Sequence, residues 1–218
     1  MQVFSPEDLR NQPNLYKKIA DTIGGDGLVA FPGKNGYRLG ANALSHKAVS
    51  RLQQAKRRAT NRPALVFIKQ KEDLHYLVDH VSELAGKIMD CLWPGPVTIR
   101  LKPSTELPSK VRKALTKATG LIGVRIPVAE VSSQIVQTLG TPMLVSSANR
   151  SRKHGAQSVA QVRKNFGTAL DILVDGGDIS PGKPSTIVDA TDSTWSLVRE
   201  GEVSTEEIAR LVGEPSST

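Results

Sequence analysis

The sequence predicts an α/β protein in which helices pack against a twisted, open mixed sheet. Early in the chain, short apolar runs of strand length alternate with segments of helical periodicity, and late in the chain strand-like runs cluster. The 218 residues suit one domain with appendages, and a hydrophobic content of 39% is enough for a buried core.

The predicted helices show apolar residues three and four positions apart. The first stops at a run of glycines, Ser45 and Ser158 are predicted N-caps, and Gly140 ends another helix. Ser204 precedes Glu207 by three residues, which predicts a capping box for the last helix. We predict helices over 15–23, 45–57, 71–92 (one or two helices), part of 103–118, 131–139, 158–166 and 204–212.

The predicted strands are apolar or alternating runs bounded by glycine, proline or polar residues. They cover 28–31, 64–68, 97–101, 122–126, 143–145, 170–174, 185–189 and 196–198. After the first strand, Gly33, Gly36 and Gly40 predict a permissive loop where a substrate would bind. The spacing of these glycines matches neither a Walker loop nor a dinucleotide fingerprint.

The chain is basic. Lysine and arginine total 29 against 21 acidic residues, which gives a net charge of +8, and the cations are densest in 47–71, 102–117 and 150–164. A field of this sign attracts polyanions, although a basic surface on a soluble protein is the plain alternative. Aromatic residues are only 4%, which argues against base stacking on single strands, whereas contact with a duplex or tRNA backbone needs only charge.

Neither a signal peptide nor a membrane span is expected. The amino terminus is polar, and no apolar run approaches the roughly 20 residues that a membrane-spanning helix needs. The single cysteine, Cys91, excludes an intramolecular disulfide and is predicted to pack within the apolar stretch 88–93. We therefore expect a cytoplasmic protein.

Four short polar segments stand where strand-like runs begin or end, which is where open α/β sheets bind ligands. In the first, Lys56, Arg58 and Arg62 suit a phosphate, although a helix end also favours solvated cations. In the second, Arg125 interrupts an apolar strand and requires an anionic partner, from the protein or from a ligand.

The other two segments supply hydroxyl groups. Ser146, Ser147 and Asn149 follow a strand and suit phosphate or ribose oxygens, although turn chemistry alone also selects such residues. Ser185 begins another strand, and Arg199 follows the last one and could close a pocket. Together the four segments predict an anion and nucleotide site. The histidines have no metal-ligand spacing.

Eight segments in one order resemble the YrdC family, which contains the threonylcarbamoyl-AMP synthases of tRNA modification. They are Pro32…Tyr37-x-Leu39-Gly40, Lys56-x-Arg58, Trp93-Pro94-Gly95-Pro96-x-Thr98, Val124-Arg125-x-Pro127, Ser147-Ala148-Asn149, Asp175-Gly176-Gly177, Ser185-Thr186-Ile187-Val188-Asp189 and Arg199-x-Gly201. The resemblance implies a YrdC-like twisted open mixed sheet with flanking helices around a basic concave cleft. It places this domain at 14–203, between an N-terminal extension at 1–13 and a C-terminal helix and frayed tail at 204–218.

The resemblance also implies a reaction in which an amino acid, bicarbonate and ATP give a carbamoyl-adenylate and pyrophosphate, with Mg²⁺ brought by ATP. Catalysis would rest on positioning and charge neutralisation. The residues implied to be catalytic are Lys56, Arg58 and Arg125. Those implied to bind ATP are Arg58, Arg62, Ser147, Asn149 and Arg199. Those implied to bind the amino acid are Tyr37, Lys56, Arg125 and Ser185.

The chain departs from the family pattern in the loop that would recognise threonine. That loop usually reads Pro-Thr-x-Thr-x-Tyr-Gly-Leu-Gly, and here Gly33, Asn35 and Arg38 replace the two threonines and the first glycine. Phe67 stands where many relatives have a polar residue. A missing buried hydroxyl contact costs roughly 1–3 kcal/mol, so the departures bear on the substrate. Two interpretations stay open: an enzyme acting on threonine or another amino acid, or a non-catalytic module that binds tRNA, double-stranded RNA or a nucleotide.

Overall fold

The computed structural model describes residues 1–56, 63–149 and 156–215, and the strands in these ranges form one ten-stranded sheet. The strands are β1 (Gln2–Phe4), β2 (Val29–Gly33), β3 (Gly36–Asn42), β4 (Leu65–Phe67), β5 (Val97–Leu101), β6 (Ile122–Arg125), β7 (Met143–Ser147), β8 (Ile172–Val174), β9 (Thr186–Asp189) and β10 (Ser196–Arg199). The helices are α1 (Pro6–Asn11), α2 (Asn14–Gly24), α3 (His46–Lys56), α4 (Glu83–Leu92), α5 (Ser109–Thr116), α6 (Glu130–Leu139), α7 (Val159–Phe166) and α8 (Thr205–Val212). Short 3-10 helices cover Lys71–Tyr76 and Lys117–Thr119.

The sheet is mixed, and its strand order is β1-β8-β2-β3-β7-β4-β6-β5-β9-β10. The parallel neighbours are β1 with β8, β8 with β2, β4 with β6, and β5 with β9. The remaining neighbours are antiparallel. A mixed sheet with packed helices confirms the fold class predicted from the sequence.

The predicted caps at Ser158 and Ser204 and the predicted stop at Gly140 are also confirmed, although of the capping box predicted at Ser204 the described hydrogen bonds contain only the bond to the serine hydroxyl. The hydroxyl of Ser158 accepts from the N–H of Gln161 at 3.3 Å, and that of Ser204 accepts from the N–H of Glu207 at 3.1 Å. Gly140 ends α6. Local capping chemistry therefore fixes these helix ends, as the sequence predicts.

Residues 36–40, predicted as part of a substrate loop, belong to strand β3 instead. β2 and β3 make a hairpin in which Gly33 pairs with Gly36 across a two-residue turn. Alternate side chains of β3 are fully buried, and a period of two marks a strand. These side chains are Tyr37, Leu39 and Ala41. The interspersed glycines obscured that period in the sequence.

Residues 1–13, set apart in the sequence as an extension, contribute to the same sheet. β1 pairs with β8, and Ser5 and Asp8 form a reciprocal capping box at the start of α1. Leu9 of this helix is fully buried. The first residues of the chain thus add an edge strand and part of the apolar core.

The prediction of a packed Cys91 is wrong, because this thiol is exposed. Cys91 lies on α4, which buries Ala85, Ile88 and Met89. The helical spacing of those three residues directs Cys91 to the solvent side. The apolar run around it comes from the helix as a whole.

Helices cover only part of one face of the sheet. On that face, α2 and α6 pack over β2, β7 and β8 in an apolar cluster around Phe31, Met143 and Ile172. The same face continues across β4, β6, β5 and β9, because side chains two residues apart on a strand share a face. Leu65 and Arg125 therefore lie beyond the helices, on the surface that forms the site.

Candidate active site

A cleft of about 1000 Å³ lies over the uncovered part of the sheet. Its floor includes residues from the middle of strands as well as from their ends: Leu65, Thr98, Arg100, Gly123 and Ile187. Three of the four segments predicted to bind ligands contribute to the rim, which includes Lys56, Ser147, Ser185 and Arg199. The structure thus has the basic concave cleft that the family resemblance implies.

Three arginines from different strands share one wall of this cleft, and we call Arg38, Arg125 and Arg199 the arginine wall. Burial lowers the pKa of Arg125 to about 10, helped by the charges of Arg38 and Arg199 and opposed by Glu202. Burial and the charge of Arg199 lower the pKa of Arg38 as well. Arginine side chains carry a positive charge at neutral pH, so the wall concentrates positive charge that an anion would stabilise.

Arg125 has little compensation from the protein. Its Nε atom is buried and has no hydrogen-bond partner in the described residues, and its guanidinium lies 4.8 Å from the centre of the Phe67 ring. No described carboxylate lies within ion-pair distance of Arg38 or Arg125. Of the two partners considered from the sequence, a protein carboxylate or a ligand, the structure favours the ligand.

Ser185 and Arg199, predicted to flank the pocket, are in direct contact. The guanidinium of Arg199 donates to the carbonyl oxygen of Ser185 from Nη2 at 2.7 Å and from Nε at 3.2 Å. Nη2 also lies 3.3 Å from the Ser185 hydroxyl. The start of β9 therefore holds Arg199 at the rim of the cleft.

Lys56 connects the end of α3 to the polar segment after β7. Its buried ammonium group donates to the Ser146 hydroxyl at 2.6 Å, to the Ser147 carbonyl at 2.7 Å and to Asn149 Oδ1 at 3.2 Å. The Ser147 hydroxyl donates to the same Asn149 oxygen at 2.9 Å. Lys56 therefore acts at least as a positioning residue for the segment predicted to bind ATP.

Tyr37 is fully buried, and its hydroxyl serves the loop after β8. It donates to the carbonyl of Gly177 at 2.8 Å and accepts from the N–H of Gly176 at 2.9 Å. Burial raises the pKa of Tyr37, partly offset by the Gly176 hydrogen bond. Tyr37 is among the residues that line the cleft, and its hydroxyl is committed to the backbone.

Thr186 ties the segment after β10 to the start of β9. Its fully buried hydroxyl donates to the Val203 carbonyl at 2.5 Å and accepts from the N–H groups of Gly201 at 3.0 Å and Val203 at 3.2 Å. One hydroxyl therefore satisfies three backbone groups. It also places Glu202, between the two, beside the arginine wall.

We expect Thr186→Val to lower the free energy of unfolding by about 2–3 kcal/mol, because two buried N–H groups would lose their acceptor. Thr98→Val is the matched control, since the Thr98 hydroxyl is buried and has no described partner. The control should leave stability unchanged or slightly raised. Urea unfolding of both variants without ligand makes the comparison. Equal effects would contradict the assigned role of Thr186.

Some site residues were missed from the sequence, and others lie outside the described ranges. Arg38, Thr98 and Arg100 line the cleft, although none was assigned a role from the sequence. The alternation in 97–101 was the available signal, because it places Thr98 and Arg100 on one face. Arg58 and Arg62, predicted to bind ATP, lie outside the described residues.

The described ranges contain neither a candidate membrane-spanning helix nor a candidate metal-binding cluster. No helix there combines the length and apolar character needed to span a membrane. No group of three His, Cys, Asp or Glu side chains in the same part of the chain is placed to hold a metal ion.

Comparison with known proteins connects this site to a family. Residues 21–201 match the Sua5/YciO/YrdC family, whose description is telomere recombination. The chain belongs to this family. The matched range contains the arginine wall, Lys56 and Ser185, so the resemblance based on eight sequence segments is confirmed.

Relatives in the family include named synthases. The threonylcarbamoyl-AMP synthase of Pyrococcus abyssi is 34% identical over 187 residues, which are 86% of this chain and 54% of that protein. The threonylcarbamoyl-AMP synthase of Bacillus subtilis is 29% identical over 203 residues, or 93% of this chain and 58% of that protein. The chain thus spans little more than half the length of these two relatives.

Solved structures in the family share the fold. Sua5 from P. abyssi complexed with L-threonine has a TM-score of 0.81 at 32% identity, covering 92% of this chain and 58% of the other. YciO from E. coli has a TM-score of 0.77 at 24% identity, covering 90% of this chain and 94% of the other. At the latter identity the likeness concerns the fold alone.

Proposed function

We propose that this chain is a nucleotidyltransferase of the threonylcarbamoyl-AMP synthase type. An amino acid, bicarbonate and ATP would give a carbamoyl-adenylate, water and pyrophosphate, for threonylcarbamoyladenosine modification of tRNA in the cytoplasm. The observation that carries the proposal is the arginine wall, where Arg38 and Arg125 face a large cleft without an ion-paired carboxylate among the described residues. The names of the family relatives support the same reaction.

The reaction suits a site that positions anions. The amino nitrogen combines with bicarbonate and loses water to form a carbamate. A carbamate oxygen attacks the α-phosphorus of ATP, and the bond to the bridging oxygen breaks, so that pyrophosphate leaves with its electron pair. Fixed guanidiniums stabilise the negative charge of the phosphates during this displacement, and ATP would bring Mg²⁺ with it.

Different residues of the rim and the arginine wall would bind ATP and the amino acid or bicarbonate. The segment that Lys56 fixes, with Ser147 and Asn149, would bind ATP oxygens. Arg199 would contact the phosphates together with Arg58 and Arg62. Arg125, with Lys56, Ser185 and Tyr37 nearby in the cleft, would hold the carboxylate of the amino acid or the bicarbonate.

The proposal is tested by pyrophosphate release from ATP in the presence of bicarbonate, Mg²⁺ and single amino acids. We expect release that requires bicarbonate and one amino acid. The adenylate is identified by mass spectrometry, which separates this reaction from simple ATP hydrolysis. Calorimetry that detects no ATP binding to the native protein would contradict both the activity and the pocket assignment.

Arg58→Ala should weaken ATP binding by roughly 1.5–3 kcal/mol, the value of a charge-assisted contact. Arg210→Ala serves as the control, since Arg210 is exposed on α8, away from the cleft lining. Calorimetric titration with Mg-ATP gives both affinities. Equal affinities would remove Arg58 from the ATP site.

RNA is a second ligand that we propose, on the basis of the net charge of +8. Lys47 and Lys71 in one basic run form ion pairs with Asp26 and Asp90, so the charge available to RNA is lower than the residue count. Binding to tRNA or duplex RNA should show little sequence preference. It should weaken about tenfold or more between 50 and 200 mM salt. If the RNA affinity measured by filter binding does not change with salt concentration, the basic surface serves solubility and not RNA binding.

A further inference from the structure

Arg38 occupies the space above Gly33, so the two residues depend on each other. A Cβ atom placed at Gly33 would lie 2.9 Å from Arg38 Cγ and 3.2 Å from Arg38 Nε. The same Cβ would lie 3.0 Å from the carbonyl oxygen of Gly36, and the backbone of Gly33 is not in the positive-φ region, so a side chain there is opposed by Arg38 and by the turn backbone. Because Gly33 on β2 has no side chain, the side chain of Arg38 extends from β3 over the position that a side chain at residue 33 would occupy.

This pair lies where two cavities meet. A smaller cavity of about 40 Å³ adjoins the cleft, and Arg38, Arg125 and Ser185 line both. Gly33, Phe67 and Glu202 line the smaller one. A ligand group that passes from the cleft towards the smaller cavity therefore meets two guanidiniums.

Cations outnumber their neutralising groups at this junction. The carboxylate of Glu202 favours the charge of Arg125, but it also forms an ion pair with Lys34. The Nε of Arg125 and the hydroxyl of Thr98, a residue that is only 4% exposed, are both buried without a partner in the described residues. One carboxylate can form a bidentate ion pair with only one guanidinium, so the charge of the second guanidinium is not neutralised.

We propose that Arg38 makes this end of the cleft select an amino acid with a second carboxylate, of the aspartate or glutamate class. The inference rests on the proposed function, because the same site would hold the amino acid that is carbamoylated. It replaces threonine with an acidic amino acid in that reaction, so the product would be the carbamoyl-adenylate of the acidic amino acid and not threonylcarbamoyl-AMP. Arg125 would pair with one carboxylate and Arg38 with the other. A neutral hydroxyl side chain such as that of threonine would leave Arg38 without an anion in a largely buried setting.

The test compares threonine, serine, aspartate and glutamate in pyrophosphate release with ATP and bicarbonate. We expect the native protein to show a kcat/KM at least tenfold higher for one of the acidic amino acids than for threonine. Arg38→Met removes the charge but keeps a long side chain, and it should abolish that preference. Gly33→Thr combined with Arg38→Gly removes the cation together with its contact with residue 33, which leaves only the Gly36 carbonyl oxygen close to the new side chain, and it should reverse the preference.

A binding measurement separates this inference from the proposed function. Each amino acid is titrated calorimetrically into the native protein and Arg38→Met, both loaded with a non-hydrolysable ATP analogue. If no amino acid causes pyrophosphate release, the proposed function fails. The selectivity would still be supported if an acidic amino acid binds more tightly than threonine to the native protein but not to Arg38→Met. The inference is overturned if the native protein prefers threonine, or if it binds all four amino acids equally or not at all. It is also overturned if Arg38→Met changes only the KM for bicarbonate.

Discussion

Arg125→Met should nearly abolish activity while making the protein more stable. We expect kcat/KM for pyrophosphate release to fall by about 100-fold or more, since a fixed cation at the reacting anions is lost. The free energy of unfolding should rise by about 1–2 kcal/mol, because the surrounding described residues give this buried charge too little compensation. The lowering of the Arg125 pKa to about 10 in the folded protein reflects the same destabilisation of the buried charge.

The sign of this effect follows from linkage. Where a cation has a lower pKa in the folded state, the unfolded state binds the proton more tightly, so the charge destabilises the fold at every pH below about 10. The penalty disappears as pH rises above about 10 towards the ordinary pKa of arginine. Measurements at pH 7–8 therefore report the full penalty.

The comparison uses urea unfolding and pyrophosphate release on the same preparations. Arg210→Met is the control, because Arg210 is exposed on α8 and should change neither quantity beyond about 0.5 kcal/mol. A variant that is both inactive and less stable would mean that Arg125 is a structural residue. In that case the arginine wall would be held by interactions within the protein.

Elements with strong local signals were predictable, and those defined by distant pairing were not. Caps such as Ser158 act within four residues, so the sequence alone locates the helix starts. β1 is only three residues long and exists through its pairing with β8, far along the chain. β3 was hidden because its glycines resemble turn residues, although Tyr37 and Leu39 are buried at alternate positions.

The site was predictable where a residue type conflicts with its surroundings. The position of Arg125 within an apolar strand indicates an anion from the sequence alone, and this residue lines the cleft as part of the arginine wall. Arg38 was noted only as a departure from a pattern, because its role depends on the pairing of β2 with β3 and on the missing side chain at Gly33. The hydroxyl of Thr186 could be interpreted as a ligand or as structural, and only its three backbone contacts decide for the latter.

Gly201→Ala should destabilise the protein by about 3 kcal/mol or more. A Cβ at Gly201 would lie 2.5 Å from the carbonyl carbon of Ser185, 2.6 Å from the nitrogen of Thr186, and closer still to the carbonyl oxygen of Pro184. All three are backbone atoms at the start of β9, so no side chain can move aside. The chain after β10 would have to separate from β9.

That separation would reach the ligand site. The N–H of Gly201 donates to the Thr186 hydroxyl, and the Ser185 carbonyl anchors Arg199, so the displaced backbone should also weaken ATP binding. Gly86→Ala is the control: Gly86 lies inside α4, a Cβ atom added there would have no neighbour within 4 Å, and alanine should stabilise by about 0.5–1 kcal/mol. Opposite signs in urea unfolding would show that contact with β9 sets the requirement at Gly201. A Gly201→Ala protein with native stability and native ATP affinity would mean that the backbone of β9 does not position Arg199.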